Sequence, residues 1–169
     1  MDSAELRSRE TFYGEMIWVV NAARFADNFY VLGALPNPDA EFAQDIVFNP
    51  QRANRVDVGF WRLSENPNHI FGCGDLVRMH ETSEINNQIE EHYIGHHMFD
   101  WKHQRSVWFE SKKDVYFDFG SEEFLLKIMI YRTYGDRALP CVQYVSRQFM
   151  VESNGGVYAT SASAIYRVD

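Results

Sequence analysis

Four of the chain's six histidines fall between residues 91 and 103, in the run Glu91-His92-Tyr93-Ile94-Gly95-His96-His97-Met98-Phe99-Asp100-Trp101-Lys102-His103. Histidine is the side chain that exchanges protons nearest neutral pH, so acid–base chemistry is sought here first. Read as a helix capped by Ser83, the segment sets His92 and His96 four residues apart on one face beside Glu91, a metal-ligand spacing. Gly95 in mid-segment and the lack of a matching third ligand argue against that reading, so no metal site is assigned. Read as a strand, the same two histidines stand ~13 Å apart, too far for one ion. His97 then shares a face with Glu91 and Tyr93, as a general acid or base that Glu91 orients. The spacing does not choose between helix and strand for Ser83 to Trp101.

Polar residues that interrupt apolar rows supply the rest of the candidate set, because an unpaired buried charge costs several kcal/mol and needs a reason. On a strand from His69 to Met79 the inward row is Phe71, Cys73, Asp75, Val77 and Met79, and Asp75 interrupts it. On a strand from Leu139 to Val151, Gln143 and Arg147 interrupt a row of Leu139, Cys141, Val145, Phe149 and Val151. Two readings follow. In one, Asp75 and Arg147 pair structurally. In the other, Asp75 joins His97 and Glu91 as catalytic groups, and Arg147 binds a carboxylate or stabilises an oxyanion. Gln143 would then contact substrate, and Tyr93, Phe117 and Trp108 would wall it. Either way Asp75 and Arg147 are expected to be at least partly buried.

The elements that position these residues follow from periodicity. The first ~25 residues begin as a helix, with Ser3 as N-cap and Leu6, Tyr13, Ile17 and Val20 on one stripe. Met16 to Val20 reads equally well as a strand. Pro36-Asn37-Pro38-Asp39 breaks the chain, and Glu41 to Gln44 forms a short helical turn. From Asp45 onward, period-two runs separated by turn residues predict strands at Arg55–Leu63, His69–Met79, Asn87–Phe99, Arg105–Glu110, Asp114–Phe119, Glu122–Tyr131, Leu139–Val151 and Val157–Val168. Short connections between consecutive strands make an antiparallel meander. About eight such strands relieve their edges best by closing into a small barrel with room for one ligand. The expected fold is therefore mainly β, one domain over residues 1–169. Residues 1–44 form a helical or irregular N-terminal segment and 45–169 a calycin-like barrel. The alternative is an α+β cone, a curved sheet packed on N-terminal helices.

Composition narrows the partners. The net charge of −8 lacks the basic footprint that nucleic acid or an anionic membrane requires. No apolar run approaches the ~20 residues needed to span a bilayer. The N-terminal MDSAELRSRE has no apolar signal-peptide core. Cys73 and Cys141 lie in apolar runs without a CxxC, as buried reduced thiols would, and the expected location is cytoplasmic. Aromatics reach 15%, which suits strands and equally suits a pocket for a flat apolar ligand. No dinucleotide, phosphate-loop or nucleophile-elbow motif occurs, so no cofactor is expected.

The predicted layout resembles the calycin and allene-oxide-cyclase-like barrels, some of which bind or cyclise small apolar molecules. Asn66-Pro67-Asn68-His69, followed later by Glu91-His92-Tyr93-Ile94, resembles a hairpin of the polyketide-cyclase-like α+β cones over less than a quarter of the chain. Neither resemblance carries a family motif, so neither assigns a residue role. The expectation is a cofactor-independent enzyme that holds an apolar, aromatic or polyene molecule and performs acid–base cyclisation, isomerisation or dehydration. The alternatives are a non-catalytic carrier of such a molecule and a protein-interaction module; a homo-oligomer is compatible with any of them.

Overall fold

The computed structural model describes residues 1–54, 59–69, 76–134 and 137–159. Asp75 and Cys73 lie outside these, as do much of the expected 55–63 and 69–79 strands and most of the expected C-terminal strand.

Helix α1 spans Ser3–Tyr13, and its cap is Asp2 rather than Ser3. The Asp2 carboxylate accepts from the Ala4 and Glu5 amides at 2.9 Å, satisfying two donors that the first turn leaves orphaned. Leu6 and Glu10, four apart, turn inward and are buried. The chain then enters β1, Trp18–Asn21, and a 3-10 helix at Ala23–Asn28 leads to β2, Phe29–Pro36. After a 3-10 turn at Glu41–Asp45 come β3 (Ile46–Phe48), β4 (Phe60–Arg62) and β5 (Met79–His80).

The ambiguous histidine-rich segment is both structures in turn. It is helix α2 over Asn86–Glu91 and strand β6 over Tyr93–Trp101, with His92 as the helix C-cap. Ile85 and Ile89, four apart, bury one face of the helical part. The expected strand at Arg105–Glu110 is instead a 3-10 helix, Ser106–Glu110. Strands β7 (Val115–Asp118), β8 (Phe124–Tyr134) and β9 (Arg137–Ser146) overlap the expected strands, though both faces of β7 are buried and Ile130 on β8 is exposed beside a bulge. The strand expected to run on to Val151 stops at Ser146, whose hydroxyl caps helix α3, Arg147–Ser153, by accepting from the Phe149 amide.

The protein is mainly β, and among the described residues the strands form no closed barrel. Six strands form one mixed sheet in the order β1-β7-β8-β9-β6-β2, and β3, β4 and β5 form a separate sheet. Strands β1 and β2 are the free edges of the larger sheet, and β1 runs parallel to β7. The expected barrel is not seen among the described residues, where β3 to β5 pair with one another and leave the meander. Sequence adjacency also does not decide neighbours: β6 lies between β2 and β9. Nor do helices gather at the N-terminus as the cone layout requires; among the described residues the three α-helices are short and spread along the chain.

The two faces of the large sheet differ. One carries Met98, Tyr131, Leu139 and Cys141, which pack against Ile46, Phe48 and Phe60 of the small sheet and against Ile85 and Ile89 before and on α2. Helix α3 adds Met150 to Tyr116 and Leu125. The other face is aromatic: Phe29, Phe99, Trp101 and Phe117 meet Phe25 and Phe119, with the 3-10 helix at Ser106–Glu110 adding Trp108 and Phe109.

Two residues shape the centre of the sheet. Gly95 has φ +97°, and a Cβ there would meet the Tyr144 carbonyl oxygen at 3.0 Å, so the start of β6 can lie tight against β9 only as glycine. Beyond His97, paired with Val142, the β6–β9 ladder ends. Pro140, further along β9, has no N–H to offer a neighbour.

Candidate functional site

Among the described residues, the side chains singled out by the sequence do not form one constellation; Asp75 lies outside them. His97 and Tyr93 do meet: the Tyr93 hydroxyl donates to His97 Nε2 at 2.6 Å. On the ring's far side Nδ1 lies 2.8 Å from the Leu32 carbonyl. A carbonyl can only accept, so Nδ1 carries a proton, and in the neutral ring Nε2 is the acceptor. Burial and the neighbouring Tyr144 push the Tyr93 phenol above its ordinary pKa. Glu91, the last residue of α2, is exposed and makes no bond to His97.

Arg147 is partly buried and committed elsewhere. Its Nη1 and Nη2 donate to the two Asp118 oxygens at 3.1 and 2.5 Å, and its Nε donates to the Ser121 carbonyl. This fork-on-carboxylate pairing pins α3 to the turn after β7. It also holds the Asp118 carboxyl below its usual pKa. Gln143 donates to the Ile94 carbonyl. It pairs with His96 across the ladder, on the face opposite His97. Phe117 is fully buried within the aromatic cluster. Among the described residues no three histidine, cysteine, aspartate or glutamate side chains gather to hold a metal, and His92 and His96 sit on different elements.

Arg147 borders a hollow of about 270 Å³ beside Asp118 and Ser121, and Trp108 borders a larger space. It lines a cleft of about 470 Å³ where the end of β1, the 3-10 helix Ala23–Asn28 and the turn after β6 meet. Phe25 and Trp101, stacked at 4.7 Å, form the apolar wall with Trp108. The volume lies within the ~300–1,000 Å³ range of small-molecule sites. Three other hollows, of about 280, 270 and 160 Å³, fall below it. The polar lining was not foreseen: Asn21, Arg24, Asn28, Lys102, His103 and Arg105. Among the described residues no acidic side chain joins them. His103 has φ +60°, and no other non-glycine among the described residues takes a positive φ. Such a backbone persists only where its surroundings enforce it.

On the opposite face His96 is a second unforeseen feature. It is only 3% exposed, and neither ring nitrogen has a hydrogen-bond partner among the described residues. The Tyr131 ring meets it edge-on at 5.9 Å. Burial, helped by His97 and opposed by Asp39, lowers its pKa from the ordinary 6.5. Cys141, a buried free thiol on the same face, is pushed up to about 12 by burial, which removes it as a nucleophile.

Because folding depresses the His96 pKa, the unfolded chain binds more protons below pH 6.5, and folding stability must fall as the pH drops through that value. The predicted result is that wild type loses more stability than His96→Leu between pH 7.5 and 5.5 in urea titrations. A difference between the two that does not change with pH would show that His96 is not held neutral by burial.

No family model matches this chain, and no curated protein or solved structure matches it.

Proposed function

We propose that the protein binds a small, flat, aromatic molecule in the cleft walled by Phe25, Trp101 and Trp108. The observation that carries this reading is the cleft's combination of size and lining: about 470 Å³ with three aromatic rings converging on it. Stacked and edge-on rings contribute about 0.5–1.5 kcal/mol each beyond their buried area, which favours a flat aromatic guest over an aliphatic one. Trp108 is only partly buried, so its ring has surface to offer. The carrier reading therefore ranks above the enzyme reading.

The acid–base reading is second, and the Tyr93–His97 pair is what favours it. His97 and Trp101 share a face of β6 but stand four residues apart, ~13 Å along an extended strand. The Phe99 ring lies between them, stacked on Phe29 and Phe109. A guest confined to the cleft does not touch His97. Catalysis would need a longer molecule that reaches along this face.

The test is titration with neutral N-phenyl-1-naphthylamine, followed by its fluorescence. Wild type should bind it saturably, and Trp108→Ala should weaken binding about tenfold, the equivalent of one lost ring contact. Phe149→Ala removes an exposed ring far along the chain and should change nothing. Absence of saturable binding, or equal affinity in Trp108→Ala, would sink the proposal. If a bound molecule is also transformed, His97→Ala should cut turnover roughly 10²–10⁴-fold with affinity kept, and unchanged turnover would exclude the acid–base role.

A further inference from the structure

The cleft's rim has a charge opposite to that of the molecule around it. The chain as a whole carries −8. Around this cleft stand Arg24, Lys102 and Arg105, with His103 between the last two, and among the described residues no Asp or Glu lines it. Three acids near the aromatic face have their own partners, and Asp27, on the same 3-10 helix as Arg24, is exposed and is not part of the cleft lining. Asp100 takes Arg52, Asp118 takes Arg147, and Glu110 faces Arg7. Lys102 is partly engaged, its ammonium 5.4 Å over the Tyr30 ring. Arg24 and Arg105 form no ion pair or side-chain hydrogen bond with any described residue. Like charges held at one rim without counter-ions repel, and the arrangement favours whatever anion enters.

The rim is built from two separate stretches of chain. Arg24 belongs to the 3-10 helix Ala23–Asn28, and Lys102 to Arg105 follow the end of β6. The Lys102 amide donates to the Asn28 carbonyl at 2.9 Å, which ties the two stretches together. The left-handed backbone at His103 reverses the chain between Lys102 and Arg105. The turn thereby returns both cationic residues to one cleft.

We propose, building on the aromatic-binding reading, that the ligand is an aromatic anion. Its ring lies against Phe25, Trp101 and Trp108, and its carboxylate, sulfonate or phosphate is met by Arg24 and Arg105, with Lys102 as the third cation. A guanidinium is planar, always charged and suited to a two-oxygen acceptor, and it also stacks on aromatic faces. Rings and cations at one site thus recognise both halves of the same molecule.

Two probes that differ only by a sulfonate separate this inference from the reading beneath it. These are 8-anilinonaphthalene-1-sulfonate and neutral N-phenyl-1-naphthylamine. Wild type should bind the sulfonate more tightly, and 0.5 M NaCl should narrow the gap by screening. The double variant Arg24→Gln/Arg105→Gln should weaken the sulfonate roughly five- to tenfold while leaving the neutral probe unchanged, since exposed charge pairs contribute modestly each. Unchanged neutral binding also reports that the variant is folded. Equal affinity for the two probes, or no effect of the double variant on the sulfonate, would overturn the anion inference and leave the aromatic reading standing. Insensitivity of both probes to Trp108→Ala would overturn both.

Discussion

A buried carboxylate near the N-terminus organises the side of the molecule on which the cleft opens. Glu10 of α1 is 7% exposed, and a bare charge at that depth would cost several kcal/mol. Three donors satisfy it: the Trp18 indole N–H at 3.1 Å, the Ser111 hydroxyl at 2.6 Å and the Lys112 amide at 3.3 Å. Burial alone would raise its pKa, but these bonds outweigh that and hold it below the usual carboxylate value. One side chain therefore joins the helix, the start of β1 and the loop before β7. Trp18, held in this way, meets Trp108 edge-on at 5.7 Å, and Trp108 is a wall of the cleft.

The parallel pairing of β1 with β7 extends that constraint. Val20 stands opposite Phe117, and the Ala22 amide reaches the Asp118 carbonyl, which sets the 3-10 helix carrying Arg24 and Phe25 beside the aromatic face. From the other edge, β2 and β6 deliver Trp101 directly opposite Phe29. The cleft lies where these two ends of the sheet approach without closing. In a closed barrel the aromatic face would be an interior. In this open sheet the same rings form a partly covered surface whose end is accessible and whose rim is cationic.

What could be read from the sequence follows the range of the interactions. Strands β7 and β8 and the early part of β9 were legible because Val115–Phe117 and Phe124–Ile128 alternate locally. The capping of α3 by Ser146 was also present as a local signal, but period-two spacing through Val145, Arg147 and Phe149 masked it. Asn86–Glu91 was ambiguous because Ile85 and Ile89 suit a helix while the next residues alternate. The β1–β7 pairing had no local signature, since it joins residues almost a hundred positions apart. The cleft was half visible. Trp108 stood out as a candidate wall, whereas Arg24, Lys102 and Arg105 look like ordinary surface charges until the fold gathers them. His96 and Glu10 were hidden for the same reason, because burial of a polar side chain is decided by partners distant in sequence.

The central claim is that ligand occupies the Trp101–Trp108 end of the aromatic face. The chain has four tryptophans, at positions 18, 61, 101 and 108, and each supplies one indole N–H resonance. Titration of ¹⁵N-labelled protein with 8-anilinonaphthalene-1-sulfonate therefore reads location directly. The account predicts saturable shifts at Trp101 and Trp108, a smaller one at Trp18 beside them, and none at Trp61, which is buried in the separate small sheet. Shifts confined to Trp61, or no shift at Trp101 and Trp108 while the probe binds, would contradict it.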